Sequence, residues 1–309
     1  MEQQHTEHVP VMLSQVLDIL ALQPGMRVVD ATLGGGGYTK AFLEAVGPEG
    51  RVLAFDWDER AIERFRSRAE GDAVLSRALR RGQLILVRVS YADLTSTLRQ
   101  HDWTVADAIV ADLGLSSDQL ADPERGISFQ SEGPLDMRLN SDETVEARHL
   151  LDQLDELSLA DLFETYGDEP EAKRIAKAIV EARKVRPLAT TTELRELVFA
   201  NVVPARRKGK VHPATRVFQA LRIAVNSERA HLERFLLAIP EVLRPGGRAV
   251  IVSFHSGEDR TVKQLFQKCI RSERPTLRWI TKKPLVPERS ELSANPRARS
   301  AKLRAVERI

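Results

Sequence analysis

Four consecutive glycines, Gly34-Gly35-Gly36-Gly37, follow an apolar run that ends in Asp30. At a strand-to-helix turn such residues permit positive φ and let a ligand approach backbone N–H groups that a Cβ would cover. Twenty-two residues beyond Gly34 a second apolar run ends in Asp56, a position suited to accept hydrogen bonds from both ribose hydroxyls of an adenosine cofactor. The third glycine of the G-x-G-x-x-G fingerprint, counted from Gly34, falls on Thr39, which argues against a standard nicotinamide site. A glycine turn beside a helix-capping aspartate is the reading without a ligand.

A third acid, Asp112, closes a further apolar run and opens Asp112-Leu113-Gly114-Leu115-Ser116-Ser117-Asp118-Gln119-Leu120. Its carboxylate is placed to accept a hydrogen bond from an amine. Ser116, Ser117 and Gln119 are suited to reading a base edge or holding the amino-acid end of a cofactor, and equally to capping the next helix. The run Ser253-Phe254-His255-Ser256-Gly257-Glu258-Asp259-Arg260 sets His255 beside acids. With one cysteine and scattered histidines no metal-ligand cluster stands out, so no catalytic metal is expected. No G-x-S-x-G nucleophile elbow occurs either.

These residues need a scaffold that brings strand ends together. Arg27–Ala31, Arg51–Asp56, Leu84–Val89, Ala106–Asp112 and Gly247–Phe254 read as strands, alternating with helical patterns at Val16–Leu22, the end of a first helix, at Tyr38–Val46 and at Asp58–Arg80. The alternation predicts an α/β fold, Rossmann-like, with a doubly wound, mostly parallel sheet. About 135 residues separate the fourth strand from the fifth, too many for a crossover. The sequence therefore predicts a discontinuous sheet domain, residues 1–120 and 212–309, and an inserted helical domain, 121–211, capping the sheet. Arg216–Leu243 reads as one long helix of the sheet domain, and the chain beyond Cys269 as an irregular tail.

Composition narrows the class. Over 309 residues, 42% hydrophobic and 29% charged exclude wholesale disorder. A single cysteine, Cys269, excludes a disulfide framework and fits a reducing, cytoplasmic setting. No unbroken apolar stretch is long enough to span a membrane, and the N-terminus lacks the pattern of an export signal. The 46 Lys and Arg nearly balance the 44 Asp and Glu, yet their placement is uneven. Ser141–Pro170 holds ten acids and one base, Glu171–Arg222 thirteen bases and four acids, and Lys268–Ile309 twelve bases and four acids. Basic stretches of this kind bind polyanions with counterion release.

The motifs together resemble the bacterial 16S rRNA (cytosine-N4) methyltransferases of the MraW family, nearly end to end. The resemblance is carried by His8-Val9-Pro10-Val11-Met12, Asp30 to Thr39, Asp112 to Leu120, Glu124-Arg125-Gly126-Ile127-Ser128-Phe129 and Gly133-Pro134-Leu135-Asp136-Met137-Arg138. Tyr166-Gly167-Asp168-Glu169, His212-Pro213-Ala214-Thr215-Arg216, Ser253-Phe254-His255-Ser256 and Asn295-Pro296-Arg297-Ala298-Arg299-Ser300 continue it.

The resemblance implies a class I fold using S-adenosyl-L-methionine, with cofactor contacts at Gly36, Gly37, Tyr38, Asp56, Tyr91, Asp112 and Gln119, beside Gly34 of the turn. It implies a decoding-centre cytidine of 16S rRNA as substrate, the one at position 1402 in that RNA's customary numbering. The implied partner is the small ribosomal subunit, without DNA or membrane; a homodimer is left open. Tyr38 stands where many members carry His, Tyr91 where many carry Phe, and Thr32 at the first glycine of the general class I motif. The amino-methyltransferase signature ending in Pro-Pro-aromatic is absent, and Asp112-Leu113-Gly114-Leu115 occupies its place.

Asp112 is the expected catalytic group, accepting an N–H hydrogen bond from the amine and assisting proton loss. A C5 mechanism would need a cysteine attacking the ring, and Cys269 is remote in sequence from the cofactor motifs. The base must leave its stack to react. The expected substrate-facing residues are Ser116, Ser117, His255, Lys173, Arg206, Arg207 and Lys208. Lys173–Arg186 and Arg206-Arg207-Lys208-Gly209-Lys210 are expected to follow RNA phosphates. Two rivals remain: a non-catalytic ribosome-binding protein, which would bind no cofactor, and a nicotinamide oxidoreductase, disfavoured by the glycine spacing.

Overall fold

Two apolar faces on each central strand dictate a sheet covered on both sides. The computed structural model of the chain describes residues 10–209 and 211–309; His8 and Val9 of the N-terminal motif and Lys210 of the basic run lie outside the described residues. The chain divides into two units, Met1–Gly114 with Arg229–Ile309, and Leu115–Glu228.

The first unit is a seven-stranded sheet. In chain order its strands are β1 (Arg27–Asp30), β2 (Arg51–Asp56), β3 (Leu84–Arg88), β4 (Ala106–Asp112), β5 (Leu243–Ser253), β6 (Leu277–Trp279) and β7 (Lys302–Arg308). The spatial order is β3-β2-β1-β4-β5-β7-β6. The first five pair in parallel and β7 runs antiparallel to both β5 and β6. The order reverses between β1 and β4, and outside the carboxyl ends of strands at such a switch lies the ligand crevice of doubly wound sheets.

Helices α1 (Leu13–Leu20), α2 (Gly37–Val46), α3 (Glu59–Glu70) and α4 (Ala73–Arg80) are introduced before β4, as is α5 (Leu94–Gln100). Val28, Val52, Ala54, Val110 and Val250 face a core shared with α1–α4. Val29, Leu53, Phe55, Ile109 and Ile251 face the opposite core, to which α5 contributes Leu94 and Leu98. The expected helix over Asp58–Arg80 is broken at Gly71, and Asp72 caps α4 by accepting the N–H groups of Val74 and Leu75.

The second unit is helical: α6 (Ser117–Ala121), α7 (Ala147–Gln153), α8 (Glu156–Gly167), α9 (Ala172–Val185), α10 (Thr191–Asn201), α11 (Pro204–Arg207) and α12 (Ala214–Val225). Leu159, Phe163, Ile175, Ile179, Leu194 and Val198 form its core with Val217, Phe218 and Leu221 of α12. The helical unit thus takes in residues 115–120 and 212–228, which the sequence reading gave to the sheet domain. The long helix expected over Arg216–Leu243 is two helices, α12 and α13 (Glu228–Val242). Ser227 between them adopts φ 48°. Buried Asn226 fixes the break, its Oδ1 accepting the Leu139 N–H at 2.7 Å and its Nδ2 donating to the Met137 carbonyl at 2.8 Å.

Beyond α14 (Ser256–Ile270) the chain is not an irregular tail. It supplies β6, the short helix α15 (Arg289–Ala294) and β7, whose Arg304 and Val306 pair with Ile251 and Ala249. Among the described residues no helix is long and apolar enough to cross a membrane.

Candidate active site

The carboxyl ends of β1, β2 and β4 each deliver an aspartate. Asp30 is fully buried; it accepts the Thr39 hydroxyl at 2.6 Å and the Thr32 N–H at 3.3 Å. Burial pushes its carboxyl up to about 7. Thr32 also accepts the Asp112 backbone N–H through Oγ1 at 2.7 Å, so one residue ties the loop after β1 to the end of β4.

Asp56 accepts the Gly34 N–H through Oδ2 and the Asp58 N–H through Oδ1, both at 2.9 Å. Burial raises its carboxyl to about 6 against these hydrogen bonds. An ionised carboxylate offers about four lone-pair sites, so both oxygens retain capacity for the two hydroxyls of a vicinal diol. Asp112 differs. Its Oδ1 is buried and, among the described residues, accepts no hydrogen bond, and burial, reinforced by the charges of Asp30 and Glu258, raises its carboxyl to about 8. A buried acceptor without a donor is costly, and an amine or a cation is the kind of group that would satisfy it.

The glycine turn sits directly beside these acids. Gly34 and Gly36 take φ 47° and 74°, and Gly36 precedes α2 with its N–H on the Leu33 carbonyl at 2.6 Å. A Cβ at Gly36 would lie 2.1 Å from the ring of Phe65 in α3. Only glycine fits at position 36, because its Cα packs directly against that ring and its φ is positive. Diol acceptor, glycine cradle and unsatisfied carboxylate oxygen together fit a nucleoside cofactor that carries positive charge.

All three acids hold protons more tightly folded than unfolded. A carboxyl raised above its unfolded value contributes stability at low pH and loses it as pH rises through the folded value. The ligand-free protein is thus expected to lose thermal stability from about pH 4, the unfolded carboxyl value, to about pH 8. Asp30→Asn removes one contributor, and its melting temperature should fall less steeply over that window. Parallel slopes for the two proteins would show that Asp30 does not titrate there.

The other expected cofactor residues of this unit divide. Tyr38 is buried in the core, its ring stacked on Phe42 at 5.9 Å and its hydroxyl donating to the Val11 carbonyl. Only its backbone is available to the turn. Tyr91 follows β3 and packs edge-on against Phe235 at 5.3 Å, half-buried. His255 caps α14: Nδ1 accepts the Glu258 N–H at 3.4 Å, and Nε2 lies 3.1 Å from Glu258 Oε1. Its imidazole is folded onto the first turn of its own helix, which favours a structural role. Cys269, near the far end of α14 and so about 20 Å along the axis, is half-buried, and burial pushes its thiol up.

Within the helical unit, Ser116 and Gln119 form a reciprocal cap on α6. Ser116 Oγ accepts the Gln119 N–H at 3.1 Å and Gln119 Oε1 accepts the Ser116 N–H at 3.0 Å. The capping alternative is realised for this pair, and Ser117 is the first residue of α6. Lys173 on α9 and Lys208 after α11 are exposed. Arg207 donates to the Val202 and Ala200 carbonyls at 3.2 and 2.7 Å.

Arg206 departs from the expectation of a phosphate ligand. It grips both oxygens of Glu169, whose side chain is 0% exposed, and reaches Glu171 at 3.5 Å. Arg206→Ala would strand a buried carboxylate, with a cost on the order of 2 kcal/mol after allowing for the partial exposure of the guanidinium. Chemical denaturation of the variant checks this, and unchanged stability would return Arg206 to the candidates for RNA contact.

Sequence reasoning left three groups unassigned. Asp30 and Thr32 were visible as a strand-end acid and a departure from glycine, but their link to Asp112 is a tertiary fact. Trp57, adjoining Asp56, meets His231 of α13 edge-on at 4.8 Å, and His231 Nδ1 lies 3.4 Å from Ser90 Oγ. An aromatic directly after a strand-end acid was the available signal.

Residues 5–309 match the model of the MraW methylase family. The chain is similar to the ribosomal RNA small subunit methyltransferase H of Thermomicrobium roseum, 46% identical with 98% of this chain and 94% of that protein covered. Proteins of the same name from Syntrophobacter fumaroxidans (44% identical; 98% and 96% covered) and Solidesulfovibrio magneticus (43%; 98% and 95%) are similar over the same extent.

Proposed function

This chain belongs to the MraW methylase family, and from that premise we propose that it transfers the methyl group of S-adenosyl-L-methionine to the exocyclic N4 of a decoding-centre cytidine in 16S rRNA, the one at position 1402. The observation that carries the reading is the buried Oδ1 of Asp112 at the end of β4, which no described residue satisfies, beside the glycine turn and Asp56. The names of the relatives, ribosomal RNA small subunit methyltransferases, support the substrate class.

Bound S-adenosyl-L-methionine supplies a sulfonium methyl, an electrophile that needs no metal. Asp56 would accept hydrogen bonds from the ribose hydroxyls, and the turn at Gly34, Gly36 and Gly37 would hold the nucleoside. The cytosine amine is a poor nucleophile because its lone pair is delocalised into the ring. Asp112 Oδ1 accepts an N–H of that amine, localises the lone pair, and takes the proton as the new bond forms. A carboxyl near 8 is close to the working pH, which suits a group that must exchange a proton. Holding two reactants in line is worth about 7–11 kcal/mol, so positioning remains the larger contribution.

The helical unit is proposed to hold the RNA through exposed Lys173 and Lys208. Reversing both charges should weaken RNA binding, lower its salt dependence by about two counterions and leave cofactor affinity unchanged. Equal loss of both affinities counts against this face.

The overall test is transfer of labelled methyl to small ribosomal subunits lacking the modification, read by nucleoside mass spectrometry and mapping. N4-methylcytidine at the decoding centre supports the proposal. Label on another nucleoside overturns the substrate, and absence of cofactor binding brings a non-catalytic ribosome-binding protein forward.

A further inference from the structure

Within the helical unit, flat groups from several segments form a column. Phe218 of α12, only 3% exposed, meets Phe129 edge-on at 5.2 Å. Phe129 lies against His212 with centroids 4.9 Å apart and planes inclined by 33°. His212 stacks on Phe199 of α10 at 5.7 Å and 20°, and the guanidinium of Arg207 lies over Phe199, 5.5 Å from its centroid. Exposure rises along the column, reaching 38% at Phe199, and Arg207 is exposed.

Each member is held in place. His212 Nδ1 accepts the Ala214 N–H at 3.1 Å, fixing the imidazole at the start of α12. Burial and the nearby charge of Arg195 keep that ring's pKa low, so it stacks as a neutral ring. Arg207 is anchored to the carbonyls of Val202 and Ala200. The column ends at the surface in a partly exposed phenyl ring and a guanidinium, flanked by exposed Lys208.

We infer that the Phe199–Arg207 end of this column is a stacking site for one unpaired nucleobase of the RNA substrate, with Lys208 beside it for the adjoining phosphate. The inference rests on the RNA substrate proposed above. Aromatic rings and guanidinium planes are the surfaces on which single-stranded RNA bases stack. A base has two π-faces and tolerates a cation over one of them, and the phosphate of its nucleotide brings the negative charge that Lys208 would meet. The site commits to stacking, with no reading of base identity.

The test uses the full chain and two probes: a short single-stranded RNA of mixed sequence, and an abasic ribose-phosphate strand of the same length. Phe199→Leu keeps apolar volume and removes the ring; Arg207→Lys keeps the charge and removes the plane. Each is expected to weaken RNA binding about tenfold, the order expected for one stacked base, with abasic binding and cofactor affinity unchanged. Equal weakening on both probes, or none on either, overturns the stacking site. Should Phe199→Leu lose its fold, seen as lost cofactor affinity, Arg207→Lys alone decides. Methyl transfer by the unsubstituted protein is read separately: transfer to the rRNA with unmoved probe ratios overturns the stacking site alone, and no transfer overturns the substrate reading instead.

Discussion

Asp112→Asn is expected to slow methyl transfer by about 10²–10⁴-fold while cofactor affinity stays nearly constant. Asparagine keeps the shape of the side chain and an oxygen that accepts a hydrogen bond, but it cannot take a proton. The loss should therefore fall on the rate of transfer. Because kcat/KM reports ionisation in the free enzyme, the wild-type profile should climb with pH through about 8, where Asp112 ionises, and then level off. The variant's profile should lack that limb. A variant with normal turnover and weakened cofactor binding would instead make Asp112 a ligand of the cofactor.

Gly36→Ala is expected to cost stability and cofactor affinity together. The new methyl would sit 2.1 Å from the ring of Phe65, which is fully buried and has little room to withdraw. Overpacking of this kind costs about 1–3 kcal/mol, and an alanine held at φ 74° adds about 1–2 kcal/mol. Phe65→Leu offers a way to separate the two. In that background the steric part should shrink, giving a coupling of about 1–2 kcal/mol in a double-mutant cycle, while the backbone part persists. Urea denaturation measures the stabilities and calorimetric titration with S-adenosyl-L-methionine the affinity. An identical cost in both backgrounds would mean that the turn shifts away from Phe65 and no clash exists.

The parts of the fold legible in the sequence are those where both faces of a strand are buried. Arg51–Asp56 and Ala106–Asp112 begin and end where their apolar runs do, and the acids that terminate β1, β2 and β4 mark the crevice. Lys302–Arg308 gives no such run, since charged and apolar residues are mixed there. Its place beside β5 depends on pairing with residues some 50 positions away, which local pattern does not encode. The break at Asn226-Ser227 has no local signal, because neither glycine nor proline stands there. Among the site residues, the spacing of Ser116 and Gln119 already spelled a capping box. Arg206 read as a surface cation because Glu169 beneath it lies 37 positions earlier. The distinction between a cation facing RNA and one gripping a buried acid resides in tertiary structure.

The antiparallel strand β7, set between β5 and β6, has a consequence for how the molecule is made. The helical unit is one uninterrupted stretch, residues 115–228, and all of its core residues have been synthesised once α12 is complete. The sheet unit is then only half made: β1 to β4 exist, but β5 and its neighbour β7 do not. During translation at about 5–20 residues per second, four parallel strands wait on the order of 10 s for β5, with the inner edge of β4 unpaired. Even β5, once added, stays an open edge until Lys302–Arg308 leaves the exit tunnel. A nascent chain of this protein therefore carries a finished insert inside an unfinished host, and the window for chaperone capture should close only with the last strand.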